Sequence, residues 1–522
     1  MSDIDISTYK ASDGATLTAI IEIGSTGIRL NIAEIKSNGS WQVLDRAMRP
    51  ASLGRDVFTS GLLSRESILE CLSVLQNYRE LLSGWGIADG NIHVIATSAL
   101  RAAHNRDVFI DRIYQETGFK LSIVEGIEEN RLMYLAVRFA LKQDLPLFWK
   151  ANSMIIEIGG GSTEIMLLRR GQMVAAHSLK MGTILIDQRS RQGFNTGIFY
   201  ERYLNENIKN TLGHLNMEMD LAHVRMIVAS SGDARFVADK IGKELNENCR
   251  IINREDFLKF IEKIRNYSIE ESMREFGITY ADAEGLVLGL LVLKLFLEQT
   301  GAANIAVPLV TIRDGYLVDL VSGVDSSLQD EFFSQIIASA VNLGRKYHFD
   351  EAHGKLVANH CMTLFDSLTK EHGMNRRHRI MLETAAILHD IGTYIKESRH
   401  QKHGQYIVAN SEIFGLHQDE LEIIANVINC HRGEPPTQFD LEFMTLQREE
   451  RVLVLKMASI LRVADVLDRG HTQQVKKFTV ERRPETVVLH VDKVYDLSLE
   501  LMGIEEKGGM FQDVFGYKVI LS

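Results

Sequence analysis

The sequence contains no long hydrophobic run, few cysteines and no excess of positive charge. No stretch approaches the roughly 18 consecutive apolar residues of a transmembrane helix, and residues 1–17 are polar and acidic, unlike a secretory signal. Acidic residues outnumber basic ones, 69 to 58, which argues against a broad nucleic-acid-binding surface. Four scattered cysteines without CxxC spacing indicate free thiols in a reducing compartment. We therefore expect a cytoplasmic protein that binds neither membranes nor nucleic acid.

The length and composition indicate several globular domains. The 522 residues are 45% hydrophobic and 24% charged, as in ordinary folded proteins, and are too many for one domain. We predict an α/β region in two halves, residues 1–135 and 136–324, because of the repeat described next. Long amphipathic patterns then predict a helical domain, residues 325–472. The alternating segments KKFTVERR, TVVLHV, LSLELM and YKVIL predict a small β-rich α/β module, residues 473–522.

One short sequence occurs twice. Residues 20–24 and residues 155–159 both read IIEIG, and each is followed by a turn and a second alternating segment, STGIRLNIAEI or GGSTEIMLLRR. An apolar strand, a glycine turn and a half-buried strand make a β-hairpin. Two such hairpins, 135 residues apart, predict a duplicated α/β fold with a cleft between its halves.

Further segments fit this α/β fold. Apolar runs predict strands at residues 91–97, 121–126, 224–230 and 305–310, whereas helical spacing predicts helices at residues 65–82 and 283–297. Strands and helices that alternate in this way are typical of a sheet covered by helices.

The glycine turns are candidate phosphate-binding loops. Consecutive glycines let backbone N–H groups approach an anion closely, and neighbouring hydroxyls add donors. The candidates in the second turn are Gly159, Gly160, Gly161, Ser162 and Thr163, and those in the first are Gly24, Ser25 and Thr26. Glu22 and Glu157, on the strands before the turns, are candidate ligands of Mg²⁺. The alternative is a pair of ordinary hairpin turns with solvated glutamates.

The segment EGIEEN is a candidate source of a general base. It places Glu125, Glu128 and Glu129 near the end of a strand and the start of a helix. Neighbouring carboxylates raise one another's pKa, and a carboxylate with a raised pKa in a cleft can activate water. The alternative is an acidic helix N-terminus that complements the helix dipole.

Four ordered motifs resemble one known family. IIEIGSTGIRL, VIATSALRAAHN, VEGIEENRLMYLAV and IIEIGGGSTEI occur in the order and spacing of the exopolyphosphatase / guanosine pentaphosphate phosphatase (Ppx/GppA) family. The resemblance implies duplicated ribonuclease-H-like domains of the actin-like ATPase superfamily. It also implies removal of terminal phosphate from inorganic polyphosphate or pppGpp with Mg²⁺ or Mn²⁺, and a homodimer.

The resemblance assigns roles to particular residues. The catalytic glutamate falls on Glu129, with Glu128 as its neighbour, and the phosphate-binding arginine falls on Arg101. A later phosphate loop falls on Ser231 and Gly232. The chain also departs from the family, which usually has aspartate at positions 22 and 157, a Ser-Asn-Ser first turn and threonine at position 233. We interpret the two parallel aspartate-to-glutamate changes as coordinated retuning of the site.

A second resemblance lies in the histidine-rich helical region. The segment AAILHDIG offers an adjacent imidazole and carboxylate, and the ordered set of histidines and aspartates is similar to that of the HD phosphohydrolase family. That resemblance implies a divalent metal site, with His403 and His431 as the additional histidines of two-metal variants. Its four core ligands would be His353, His389, Asp390 and Asp465. Two metal ions could activate water and hold a phosphate. The alternative is a helical scaffold, since the Ppx/GppA family commonly carries an HD-like domain with a degraded motif, although the motif looks intact here.

Three functions therefore remain open. The first is a phosphohydrolase that acts in the cleft between the actin-like halves. The second is an HD-type nucleotide phosphohydrolase with regulatory actin-like halves. The third is a polyphosphate or nucleotide sensor without turnover.

Overall fold

The computed structural model describes residues 14–141, 144–190, 197–322, 326–491 and 496–522. They form two compact units, Met1–Glu331 and Phe332–Ser522, which we call unit 1 and unit 2. The predicted boundary at residues 324–325 and residues 1–13 of the polar N-terminal segment lie outside the described ranges. No helix in these ranges carries an apolar stretch long enough to cross a bilayer.

The first half of unit 1 is a five-stranded sheet with helices. The sheet has the order β3-β2-β1-β4-β5, in which β1 is antiparallel to β2 and parallel to β4. The strands are β1 (Thr16–Ile23), β2 (Gly27–Ile35), β3 (Trp41–Pro50), β4 (Ile92–Ala96) and β5 (Leu121–Ile123). The helices are α1 (Leu53–Ser60), α2 (Arg65–Gly84), α3 (Ser98–Ala102), α4 (Arg106–Thr117) and α5 (Gly126–Leu141).

The second half of unit 1 is built around a seven-stranded sheet of order β10-β11-β12-β9-β6-β7-β8. Its strands are β6 (Asn152–Ile158), β7 (Thr163–Arg169), β8 (Gln172–Leu179), β9 (Val224–Ala229), β10 (Lys243–Asn246), β11 (Cys249–Asn253) and β12 (Asn304–Pro308). Its helices are α6 (Pro146–Lys150), α7 (Thr183–Ser190), α8 (Gly197–Glu218), α9 (Gly232–Ile241), α10 (Arg254–Ile264), α11 (Ile269–Phe276), α12 (Tyr280–Glu298) and α13 (Ile312–Ser322).

The two sheets share one local plan, as the repeated IIEIG segments predict. In each, the repeat forms a central strand, β1 or β6, that pairs antiparallel with the following strand and parallel with β4 or β9. The α/β prediction and the strands and helices predicted around the repeats are confirmed, although β5 ends early because Gly126 already begins α5.

Two helices cross between the halves. Helix α5 follows the first sheet but packs against β7 and β8 of the second, and α13 follows the second sheet but packs against β1 of the first. The two helices cross at Gly315, where an added Cβ would overlap the carbonyl oxygen of Leu132. The predicted boundary after residue 135 therefore falls inside a helix that belongs to both halves.

Unit 2 is mainly helical. Its helices are α14 (Ser326–Lys346), which begins before the unit boundary, α15 (Glu351–Ser367), α16 (Thr369–His372), α17 (Arg376–Leu388), α18 (His400–Ala409), α19 (Gln418–Cys430), α20 (Leu441–Met444) and α21 (Arg448–Val466). Short 3₁₀ turns occupy Ile391–Tyr394 here, and Asp89–Asn91 and Leu221–His223 in unit 1.

A terminal module of three strands and two helices completes unit 2. It contains β13 (Phe478–Arg482), β14 (Thr486–Val491), α22 (Ser498–Lys507), α23 (Gly509–Phe515) and β15 (Lys518–Leu521). The segment LSLELM, predicted as a strand, lies instead mostly in α22. Because β14 and β15 pair in parallel, the chain needs a crossover between them, and α22 and α23 provide it.

Candidate active site

A cavity of about 450 Å³ lies between the two halves of unit 1. Both glycine turns line it, together with the start of α5 and the start of α9. The sequence-predicted residues that it brings together are Glu22, Gly24, Ser25, Thr26, Glu129, Glu157, Gly159, Gly160, Ser162, Ser231 and Gly232. Arg101 reaches the same cleft through its contact with Glu129.

The two glycine turns face each other across the cleft. A Cβ added at Gly160 would lie 3.1 Å from the Cβ of Ser25, and one added at Gly161 would overlap the ring of Phe58. The turns are therefore close enough only without side chains at these positions. The Oγ atoms of Ser25 and Ser98 lie 3.1 Å apart, and Thr163 donates a hydrogen bond to the carbonyl oxygen of Met181, which anchors the second turn.

Arg101 and Glu129 form a buried pair at the side of the cavity. Arg101 Nη1 donates to Glu129 Oε2 at 2.7 Å and to the carbonyl oxygen of Val124 at 2.7 Å. Burial raises the pKa of Glu129, whereas Arg101 opposes this effect and Glu22 adds to it. A carboxylate with a raised pKa beside a guanidinium can accept a proton from water while the guanidinium holds a phosphate oxygen.

Glu128 has different surroundings from its neighbour. Its two carboxylate oxygens each accept a 2.7 Å hydrogen bond from Arg131, which also donates to Asp319 on α13 at 2.6 and 2.8 Å. Glu128 is not among the residues that line the cavity. The structure thus places this predicted catalytic residue in an ion-pair network between α5 and α13.

The two glutamates near the ends of β1 and β6 differ in their pairing. Glu22 accepts a hydrogen bond from Arg313, and its Oε1 atom lies 3.6 Å from Arg29. Glu157 is half-buried, but its Oε2 atom is buried and has no hydrogen-bond partner among the described residues. Burial raises the pKa of Glu157 well above its ordinary value, and Glu129 and Glu164 add to the effect.

Sequence reasoning missed Glu164, which faces Glu157 in the hairpin register of β6 and β7. Its pKa is raised to about 8, chiefly by burial and next by Glu129. Ser178 donates to its Oε1 atom at 2.8 Å. The hairpin pattern offered a signal, because the residue directly opposite a site residue on the next strand shares its face of the sheet. Arg29, Arg235 and Arg313, also missed, line the cavity as well.

The cluster of Glu129, Glu157 and Glu164 fits a divalent cation. Glu129 and Glu164 raise the pKa of Glu157, Glu129 also raises that of Glu164, and one buried oxygen of Glu157 has no partner among the described residues. Carboxylate oxygens are the ligands that Mg²⁺ and Mn²⁺ prefer, and a cation among them would remove the mutual repulsion. Glu22 fits less well, because two guanidinium groups already neutralise it.

Asp233 is a buried acid at the edge of the same cavity. It lies in the first turn of α9, and its Oδ2 atom packs where a Cβ at Gly289 would otherwise lie. Burial raises its pKa to about 7, opposed by Arg235. The preceding Ser231 caps α9 by accepting a hydrogen bond from the N–H of Ala234 at 3.1 Å.

Comparison with known proteins identifies the family of the chain. The model of the Ppx/GppA phosphatase family matches residues 31–323, more than half of the chain. The chain belongs to the Ppx/GppA phosphatase family. The model of Ppx/GppA phosphatase domain III matches residues 337–505.

The family relatives span most of the chain at low identity. A guanosine-5'-triphosphate,3'-diphosphate pyrophosphatase of Pseudoalteromonas translucida is 24% identical over 524 residues, covering 97% of this chain and 98% of that protein. One of Pseudoalteromonas atlantica is 23% identical over 465 residues, 86% of each protein. The crystal structure of an exopolyphosphatase from Cytophaga hutchinsonii has a TM-score of 0.52 at 20% identity. It covers 59% of this chain and 98% of that one, and it confirms the actin-like fold.

Unit 2, which includes the match to domain III of the Ppx/GppA phosphatases, contains a separate cluster of histidines and aspartates. The Nε2 atoms of His353 and His389 lie 3.2 Å apart, and Asp465 Oδ1 lies 3.7 and 3.5 Å from them. Asp390 Oδ2 lies 3.7 Å from His353 Nε2 and 3.6 Å from His389 Nε2. The structure thus brings together the four residues predicted as core metal ligands.

The other oxygen of Asp390 belongs to a second group. Asp390 Oδ1 lies 3.0 Å from His400 Nε2 and 3.7 Å from His431 Nε2, and these two nitrogens are 3.2 Å apart. His403 was predicted in this position, but it belongs to none of the clusters that the described residues form. His400 takes its place because it begins α18 next to the 3₁₀ turn that follows Asp390.

The outer nitrogens of all four histidines are held in place. His353 Nδ1 lies 2.8 Å from Asp468 Oδ2, and His389 Nδ1, His400 Nδ1 and His431 Nδ1 lie 2.8, 3.0 and 2.6 Å from backbone carbonyl oxygens. A partner at Nδ1 fixes the tautomer that leaves Nε2 free to bind a metal. The donor set therefore fits two divalent ions, one at each group, with Asp390 between them.

Proposed function

We propose that the protein hydrolyses a terminal phosphoanhydride bond of inorganic polyphosphate or guanosine pentaphosphate (pppGpp) in the cleft of unit 1. The observation that carries the proposal is the buried pair of Arg101 and Glu129 beside two facing glycine turns. The names of the relatives, a guanosine-5'-triphosphate,3'-diphosphate pyrophosphatase and an exopolyphosphatase, support both substrates.

The reaction requires one base and several phosphate-binding groups. Glu129 accepts a proton from water, whose oxygen attacks the terminal phosphorus in line with the bridging oxygen. The bond between that phosphorus and the bridging oxygen breaks, and the shortened chain leaves with the bonding electrons. Arg101 and the glycine turns hold the terminal phosphoryl oxygens and stabilise the charge that spreads over them.

A divalent ion, Mg²⁺ or Mn²⁺, fits beside Glu157 and Glu164, where it would supply charge neutralisation for the phosphate. Glu22 serves instead to hold Arg313, which lines the same cavity. Arg29 and Arg235 add positive charge along the wall. The cleft can thus accept a polyanion despite the carboxylates of Glu129, Glu157 and Glu164.

The first experiment compares phosphate release from polyphosphate and from pppGpp by the wild type and by Glu129→Gln. We expect Glu129→Gln to lose about 10²- to 10⁴-fold in kcat, the usual contribution of a general base. The matched control is Glu128→Gln, which should retain activity within about threefold and lower stability instead, because its partners are structural. Equal losses in both variants would contradict the assignment of Glu129. If the wild type releases phosphate from neither substrate, the result would favour a sensor without turnover.

We propose as a second function a metal-dependent phosphohydrolase centre in unit 2, because four Nε2 atoms and two aspartates converge there. Two ions that share Asp390 could activate water and hold a phosphate. The test measures metal content and phosphohydrolase activity in the Glu129→Gln background. Activity that His389→Ala then abolishes would support it, whereas a metal-free wild type would refute it.

The homodimer and the cytoplasmic location stay predictions. Light scattering of the purified chain tests the first, since a dimer doubles the mass of 58.9 kDa. Fractionation of cells that express the chain tests the second.

A further inference from the structure

A lysine of the terminal module contacts the cluster of histidines and aspartates in unit 2. Helix α22 packs closely on α21, the helix that carries Asp465, since a Cβ added at Gly503 would lie 2.6 Å from Val466 Cγ1. One turn later Glu506 accepts a 2.8 Å hydrogen bond from Arg469. These two contacts fix the C-terminal end of α22, where Lys507 is the last residue.

The Lys507 ammonium contacts the outer oxygen of Asp465. Nζ donates to Oδ2, while Oδ1 of the same carboxylate faces the Nε2 atoms of His353 and His389. The side chains of Lys507 and Asp465 are only 15% and 14% exposed. A nearly buried ammonium therefore contacts one of the carboxylates that fit a metal ion.

If two divalent ions occupied the unit 2 site, a lysine that only supported Asp465 would add to an excess of positive charge. Two divalent ions bring four positive charges, and Asp390, Asp465 and the buried Asp468 remove three. Lys507 raises the excess to about two within a site of low exposure, where like charges repel strongly. A stable arrangement needs an anion, and lysine binds phosphate well as a compact point charge.

We propose that Lys507 is a phosphate-binding residue of the unit 2 centre, so that the terminal module gives this centre its preference for phosphate esters and anhydrides. The proposal rests on the second function proposed above, because it needs ions at the two histidine groups. On binding, the ammonium donates to a phosphoryl oxygen and keeps Asp465 oriented towards its ion. No bond is made or broken in this step.

The test uses the full chain loaded with Mn²⁺ and titrated with inorganic phosphate. Pulsed EPR separates the two sites, because nitrogen couplings mark an ion bound by histidine, whereas the cleft offers carboxylates. Phosphorus coupling to the nitrogen-coupled Mn²⁺ then reports phosphate at unit 2, and His389→Ala supplies the background. We compare the wild type, Lys507→Ala, Lys507→Arg and Lys518→Ala, which removes an exposed lysine of the same module.

We expect Lys507→Ala to keep both histidine-bound ions and to bind phosphate about 10- to 100-fold more weakly, the effect of one charged hydrogen bond. Lys507→Arg should recover part of the affinity, and Lys518→Ala should match the wild type. Unchanged phosphate affinity in Lys507→Ala would overturn the proposal. Loss of the ion at Asp465 in that variant would also overturn the proposal, because Lys507 would then act by holding Asp465 and not by binding phosphate.

Failure of the metal site and failure of the Lys507 proposal give different results. If the wild type shows no nitrogen-coupled Mn²⁺, the second proposed function fails and the Lys507 proposal fails with it. That outcome differs from the one in which ions bind and Lys507→Ala has no effect on phosphate. Thermal melting followed by circular dichroism checks that each variant is folded. If Lys507→Ala is not folded, Lys507→Arg, which keeps the positive charge, is compared with the wild type instead.

Discussion

Replacing Asp233 by asparagine should stabilise unit 1 by an amount that grows with pH. The carboxyl group is buried against Gly289 at the edge of the cleft, and its pKa is raised from 3.8 to about 7 by burial, opposed by Arg235. The folded protein therefore keeps this group protonated up to about pH 7, whereas the unfolded chain ionises it near pH 4. Asparagine is isosteric with the neutral acid and cannot ionise.

The sign and size follow from proton linkage. Between pH 4 and pH 7 the folded state binds more protons than the unfolded state, so wild-type stability falls as pH rises. A shift of about three pKa units at about 1.4 kcal/mol each gives a total loss of about 4 kcal/mol, complete above pH 7. The stability gain of Asp233→Asn should thus be about 1–2 kcal/mol at pH 5 and about 4 kcal/mol at pH 8.

The assay is urea unfolding followed by tryptophan fluorescence. All three tryptophans, Trp41, Trp85 and Trp149, lie in unit 1, so the signal reports that unit alone. Asp256→Asn, which changes an exposed carboxylate on α10, is the control and should shift stability little at any pH. A gain in Asp233→Asn that is the same at pH 5 and pH 8 would refute the reasoning.

Three more outcomes can be checked. Arg313→Gln should destabilise unit 1 by about 1–3 kcal/mol, because it removes one of the two guanidinium partners of the half-buried Glu22. The same fluorescence assay measures this loss, and a loss below about 1 kcal/mol would contradict the pairing. Gly392→Ala should lower the metal content at the group of His400 and His431, because the new Cβ would overlap the carbonyl oxygen of His400. The control for the metal analysis is Gly509→Ala, because an added Cβ at Gly509 meets no atom within 4 Å. A thiol reagent at pH 8 should not label the folded chain, but it should label all four cysteines after denaturation. Each cysteine is buried, and burial raises the pKa of its thiol, to about 12 for three of them. Rapid labelling of the native protein would contradict this prediction.

Local pattern carried most of the successful predictions in unit 1. The repeated IIEIG segments predicted the two equivalent hairpins because alternation and glycine turns are encoded within a few residues. Arg101 and Glu129 came from the family resemblance, and the structure brings them to 2.7 Å, while their roles in catalysis stay predictions. Arg313 was missed because it approaches Glu22 from a helix almost 300 residues later, and no local signal marks that contact.

Where sequence reasoning failed, the cause was tertiary structure. LSLELM alternates like a strand, but the parallel pairing of β14 with β15 requires a helical crossover at that place. His400 and His403 lie on the same short helix, and spacing alone does not tell which one faces Asp390. Lys507 comes from a different module altogether, so only the fold brings it to Asp465.

The crossing of α5 and α13 at Gly315 joins the two halves of unit 1. Glu129 lies in the first turn of α5, and the same helix packs on the second sheet and is held to α13 through Arg131 and Asp319. Any opening between the halves would therefore displace α5, and Glu129 with it. A change in access to the cavity would then also change the position of the proposed base.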